Sequence, residues 1–191
     1  GPSQGYRHLV DSSLDWGQDL PGLSRWLERN VRAEENVYVT YTGSGDFRYE
    51  GIRAGELMPT YNFERKREWF ELEPGWYCIS ATELQQVYSE VRGPWNLARE
   101  RAFHFYRGRL NLLAGASSPE DLDALAYARY EYDRLRFARL CHYLRTREPD
   151  AHVGYSILIY RLTAEEIRLA TQAGLQELAD AIESSLSQRG R

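Results

Sequence analysis

The sequence predicts one α/β domain over residues 1–191: a mainly parallel, Rossmann-like sheet with helices on both faces and a long helical-pair insertion at 91–148. Three observations carry this. Short β-branched and aromatic runs near residues 6–11, 37–41, 76–80 and 153–162 alternate with amphipathic helical stretches, the pattern of βα units joined right-handedly. The run VGYSILIYRL at 153–162 is almost wholly apolar, which places it at the buried centre of the sheet. Finally, DSSLDWGQDL (11–20) is a polar loop between a strand and a helix, the position where open α/β sheets present ligand sites.

The elements follow in order. Residues 6–11 read as the first strand, and 18–29 as a helix with Leu20, Leu23, Trp26 and Leu27 on one face and Pro21 in its first turn. The strand at 37–41 ends in the glycine-rich loop 42–46. Residues 47–73 are irregular, with one short helix near 63–69; Pro74-Gly75 turns into the strand 76–80, and a short helix follows at 81–88. Two long helices, about 95–113 and 118–145, are joined by a short link and form an antiparallel pair. The second opens at Ser118-Pro119-Glu120-Asp121, a cap, a first-turn proline and two acids. Thr163-Ala164-Glu165-Glu166 spells a capping box that starts a C-terminal helix over 163–187.

Composition excludes several classes. A net charge of −4 argues against a general nucleic-acid binder, and no run approaches the ~18 apolar residues of a membrane span. Charge is uneven: residues 91–147 hold 11 Arg against 6 acids, a net of +5, which leaves −9 for the remainder. Two readings follow for that segment, a surface turned to anionic lipid through Arg99, Arg101, Arg107 and Arg109, or a solvated face of Arg–Glu pairs. The spacing of Cys78 and Cys141 fits no zinc or redox motif, so both are expected to be buried free thiols. The aromatic content, with 14 Tyr and 5 Trp, fits either an aromatic core or a half-wet binding surface.

Asp11, Asp15 and Asp19 recur every four residues beside Trp16 and Gln18. Carboxylates and an amide suit paired sugar hydroxyls, and the indole suits the C–H face of a sugar ring. The same groups also serve a scaffold, with Asp19 as a helix N-cap, Asp15 on loop amides and Trp16 in the core. Parallel strands deliver their loops to one edge, so Ser44 and Asp46 (from 42–46) and Ser80 and Thr82 (from 80–82) are expected to border the same pocket. Calcium-loop spacing is absent, 42–46 lacks a phosphate loop's lysine, and His8, His104, His142 and His152 are scattered. Neither a catalytic residue, a metal nor a cofactor is assigned.

The segments GYRHLVDSSLDWGQDLPGL (5–23), VYVTYTGSGD (37–46), YEGI (49–52), LEPGWYCISAT (72–82) and EPDAHVGYSILIYRL (148–162) together resemble the C-terminal soluble region of bacterial family-39 membrane glycosyltransferases, phospholipid-carrier-dependent enzymes related to protein mannosyltransferases. DWGQDL and GYSI-Y-L are the most specific pieces. The resemblance implies a non-catalytic, carbohydrate-binding domain on the extracytoplasmic (periplasmic) side of the bacterial inner membrane. The donor would be a polyprenyl-phosphate sugar, and Gly1-Pro2 would lie just beyond the last membrane helix. Its partners would be the membrane portion of the same polypeptide, a glycan or lipid-linked sugar, and an anionic lipid surface. The family's catalytic acid sits in the membrane portion and maps to no residue here. The length of 91–148, and Ser13 where Asn is usual, depart from the family's pattern. The other reading is an interaction module for protein or membrane surface without sugar binding.

Overall fold

The computed structural model describes residues 17–43, 45–58, 69–154 and 156–189. The strand expected at 6–11 and most of the short helix expected at 63–69 lie outside them. Five strands form one sheet in the order β2-β1-β3-β5-β4. They are β1 (Asn36–Thr40), β2 (Gly55–Glu56), β3 (Gly75–Ser80), β4 (Ala151–Val153) and β5 (Ile157–Leu162). The helices are α1 (Leu20–Asn30), α2 (Ala81–Leu84), α3 (Leu97–Leu112), α4 (Pro119–Leu144), α5 (Ala164–Thr171) and α6 (Leu175–Arg189).

The sheet is mixed, which corrects the mainly parallel expectation. β2, β1 and β3 run parallel, whereas β5 is antiparallel to both β3 and β4. The predicted single strand 153–162 contains a reversal. The chain enters as the short edge strand β4, in the same sense as β3, and turns at Gly154, whose φ is +55°. It returns as β5 between β3 and β4, so β3 and not β5 is central. The apolar run hid the turn because Ile157 and its neighbours mask a single glycine. Both edge strands are two or three residues long, which limits edge-to-edge pairing.

Strand periodicity divides the core. Val39, Cys78, Ile157 and Ile159 pack with Leu20, Leu23 and Leu27 of α1. Tyr38, Tyr77, Ile79, Leu158 and Tyr160 face the other way, onto α3–α6. Helices therefore cover both faces, and Cys78 and Cys141 are free and buried in different clusters. Burial pushes both thiols well above their ordinary range. Many of the aromatic side chains are core: Phe70, Tyr38 and Tyr77 stack in series, and Phe103 stacks on Tyr132, which touches Trp69.

The helix pair starts at caps set by local chemistry. Asn96 accepts from the Arg99 N–H and Ser118 from the Asp121 N–H. The first half of α4 is largely exposed; from Glu131 to Leu144 nearly every position is buried, including Asp133, Arg136 and Arg139. Arg139 is fully buried and uses its whole fork. It bonds both Glu100 oxygens (3.0 and 3.1 Å) and the Leu169, Ala170 and Ala173 carbonyls. Burial alone would raise the Glu100 carboxyl, but hydrogen bonds from Arg139 and Trp95 outweigh it and hold it below its usual range. Arg139 thereby satisfies carbonyls freed where the expected helix 163–187 breaks after Thr171, before Gly174. The capping box at Thr163 and Glu166 is formed.

Candidate functional site

Four loops meet where β1 and β3 end and β5 begins. The first is 17–19, ahead of α1. Gly17 adopts φ +90°, and a β-carbon there would stand 3.5 Å from the Tyr41 ring and 3.7 Å from the Gly45 nitrogen, so this loop lies against the one after β1. The second loop is tied to the third through Ser80, whose Oγ accepts from the Thr42 N–H (3.3 Å) while capping α2 through the Glu83 N–H (3.4 Å). Thr42 Oγ1 donates to Glu83 Oε1 at 3.2 Å, and Glu83 is fully buried. The Ala81 N–H then donates to the Ser156 carbonyl (2.7 Å), joining the turn between β4 and β5 to the same edge.

Asp19 closes the circuit. It occupies the N-cap position of α1, yet its side chain makes no cap hydrogen bond. Its carboxylate instead accepts from Ser156 Oγ at 2.7 Å, and it lies directly over Gly154. A β-carbon on Gly154 would fall 2.2 Å from Asp19 Oδ2. The N-cap role expected for Asp19 is thus replaced by a bond between residues 137 apart in sequence. The negative charge still stands at the positive end of the α1 dipole.

The predicted site residues divide. Asp19, Ser80 and the neighbouring Thr42 come together. Asp11, Asp15, Trp16 and Ser44 lie outside the described residues. Gln18 is exposed on the first loop. Asp46 accepts from the Arg48 N–H (3.0 Å) and guanidinium (3.2 Å) through Oδ1, within its own loop. Thr82 is buried in α2, and its Oγ1 has no hydrogen-bond partner. Sequence reasoning missed Gly154, Ser156 and Glu83. The Ser80-x-x-Glu83 spacing of a capping box was the available signal for the last.

Of the arginines expected to face a membrane, Arg101 and Arg109 are exposed on α3. Arg107 is half-buried, and Arg99 is turned back to the Pro94 (2.6 Å) and Arg92 (2.5 Å) carbonyls. Much of the segment's positive charge is consumed internally, by Arg134 on Glu131 and Glu90, Arg136 on Asp133, and Arg139 on Glu100.

Chemically, the four-loop edge is a lattice of hydroxyls and carboxylates paired with one another. Among the described residues no serine, threonine or cysteine is hydrogen-bonded to a histidine, and no three His, Cys, Asp or Glu side chains gather as a metal site. Ser80, Glu83 and Ser156 are buried, so these groups tie the loops to one another, while Gln18 is exposed at the edge. No described helix is long and apolar enough to cross a membrane. Comparison with protein-family models, curated proteins and solved structures finds no match to this chain.

Proposed function

We propose that the chain is the non-catalytic extracytoplasmic domain of a membrane glycosyltransferase using a polyprenyl-phosphate sugar donor, and that its four-loop edge positions acceptor or glycan. The observation that carries this reading is the Asp19–Ser156 bond. It joins DWGQDL to GYSI-Y-L, the two pieces that carry the resemblance most specifically, across 137 residues. Two segments matter as a unit when they build one place in the fold. In this reading the domain works beside the membrane portion of the same polypeptide, on the periplasmic face.

The test is a titration of oligosaccharides and lipid-linked sugar donors into the chain. Saturable binding without turnover is expected. Asp19→Ala should weaken binding by about tenfold, the worth of one charge-assisted hydrogen bond, and Ser156→Ala, which releases the Asp19 carboxylate from its internal partner, by less. Turnover by this chain alone would overturn the non-catalytic role, and absence of glycan binding by the folded protein would overturn the sugar role. One feature favours the interaction-module reading: the α3–α4 hairpin exposes Phe105, Leu112, Leu122 and Tyr127 among its arginines.

A further inference from the structure

A groove of about 640 Å³ runs between the exposed halves of α3 and α4 and the segment entering β3. Its size suits a small organic ligand, and it shares no residue with the four-loop edge. Arg107 and Asn111 of α3 are four apart and face Arg129 and Tyr132 of α4, three apart; Trp69 and Gln172 complete the polar and aromatic lining. Leu110 and Leu125 supply apolar wall.

Among the arginines without a hydrogen-bonding partner in the described fold, Arg107 and Arg129 are the pair that line this groove, whereas Arg101 and Arg109 do not. Arg134, Arg136 and Arg139 each hold a carboxylate, whereas Arg107 and Arg129 hold neither carboxylate nor carbonyl among the described residues. Arg107 lies over the Phe103 ring, whose centroid is 5.8 Å from its guanidinium carbon. Tyr132 is buried as a residue, but its hydroxyl, which makes no hydrogen bond to any described residue, is not enclosed and stands open at the groove. The lining is therefore rich in donors: two guanidiniums, a phenol and two amides. Among the described residues the only carboxylate on it, Glu71, is 75 % exposed and leans toward Arg136 at 3.8 Å. A donor-rich, positive wall beside leucine and indole surface calls for a ligand that is all acceptor at one end and apolar at the other.

We propose that this groove binds a phosphate monoester, its oxygens held by Arg107, Arg129 and the Tyr132 hydroxyl and its organic group against Trp69, Leu110 and Leu125. Phosphate presents acceptors only, and arginine forks match it best.

Calorimetric titration with phenyl phosphate tests this. Saturable binding is expected, with inorganic phosphate weaker and phenol undetectable. Arg107→Gln combined with Arg129→Gln should weaken phenyl phosphate by tenfold or more, and Tyr132→Phe by severalfold. The pair Arg101→Gln and Arg109→Gln, on the same helix, should leave binding unchanged. None of these side chains makes a hydrogen bond within the described fold, so circular dichroism melts should stay close to those of the parent chain. A free ester and a lipid headgroup are separated by vesicles containing phosphatidic acid. Vesicle binding that phenyl phosphate displaces and the Arg107/Arg129 pair abolishes identifies the headgroup as the source; phenyl phosphate binding without it identifies a soluble ester. No binding of phenyl phosphate, or equal loss in both arginine pairs, would overturn the proposal.

Discussion

Gly154 shows how much one residue decides. Its φ of +55° is open to glycine at little cost, and the space its missing side chain leaves is filled by the Asp19 carboxylate. Gly154→Ala must both hold an alanine at positive φ and push Asp19 off Ser156. The expected destabilisation is about 1–3 kcal/mol, each kcal/mol lowering the melting temperature by roughly 2–4 °C in a domain of this size. The two causes separate in a double-mutant cycle. With Asp19→Ala in place the clash is gone, so Gly154→Ala should cost less than in the parent. Equal costs in the two backgrounds would show that Asp19 does not depend on the glycine.

At the scale of elements, periodicity and caps made most of the fold legible. The helices α1, α3 and α4 and the strands β1 and β3 fall within one or two residues of where Leu20-x-x-Leu23, the run at 37–41, Trp76–Ser80 and Ser118-Pro119 place them. Strand direction was not legible, because the single glycine that reverses the chain at 154 sits in an otherwise apolar run. The break between α5 and α6 was equally hidden: its carbonyls are satisfied by Arg139, from a helix 30 residues earlier in sequence. For the site, the loops at 17–19, 42 and 80 were legible from topology, whereas Ser156 enters only through the turn that periodicity missed. The helix pair carries its own expectation. Arg101 and Arg109 are exposed beside Phe105 and Leu112, so the hairpin should associate weakly with anionic vesicles at low salt, at about 1 kcal/mol per basic residue near the surface. In flotation assays on phosphatidylglycerol vesicles, whose headgroup is not a phosphate monoester, Arg101→Glu with Arg109→Glu should abolish that association. Binding that survives the charge reversal would show that this face is not responsible.

At the scale of the whole molecule, acid stability follows from what the helix pair buries. His142 lies in the last turn of α4, half-buried, and burial together with the charges of Arg145, Arg139 and Arg99 lowers its pKa from 6.5 to about 4. The unfolded chain takes up a proton near pH 6.5 while the folded chain resists until about pH 4, so between these values the unfolded state binds more protons. Stability is therefore complete above about pH 6.5 and falls as the pH drops toward 4. The part of the ring open to solvent screens the effect, which leaves about 1–2 kcal/mol across the window. Glu100 adds a second, more acidic loss: its carboxyl is held below the usual 4.5, so its contribution disappears only as the pH falls past that value. Urea midpoints measured from pH 8 to pH 4 should decline between pH 6.5 and 4 in the parent chain. In His142→Gln, which keeps a neutral polar side chain at all pH values, the decline over that window should flatten while the loss below pH 4.5 remains. An unchanged slope in the variant would mean that His142 is not the group that titrates.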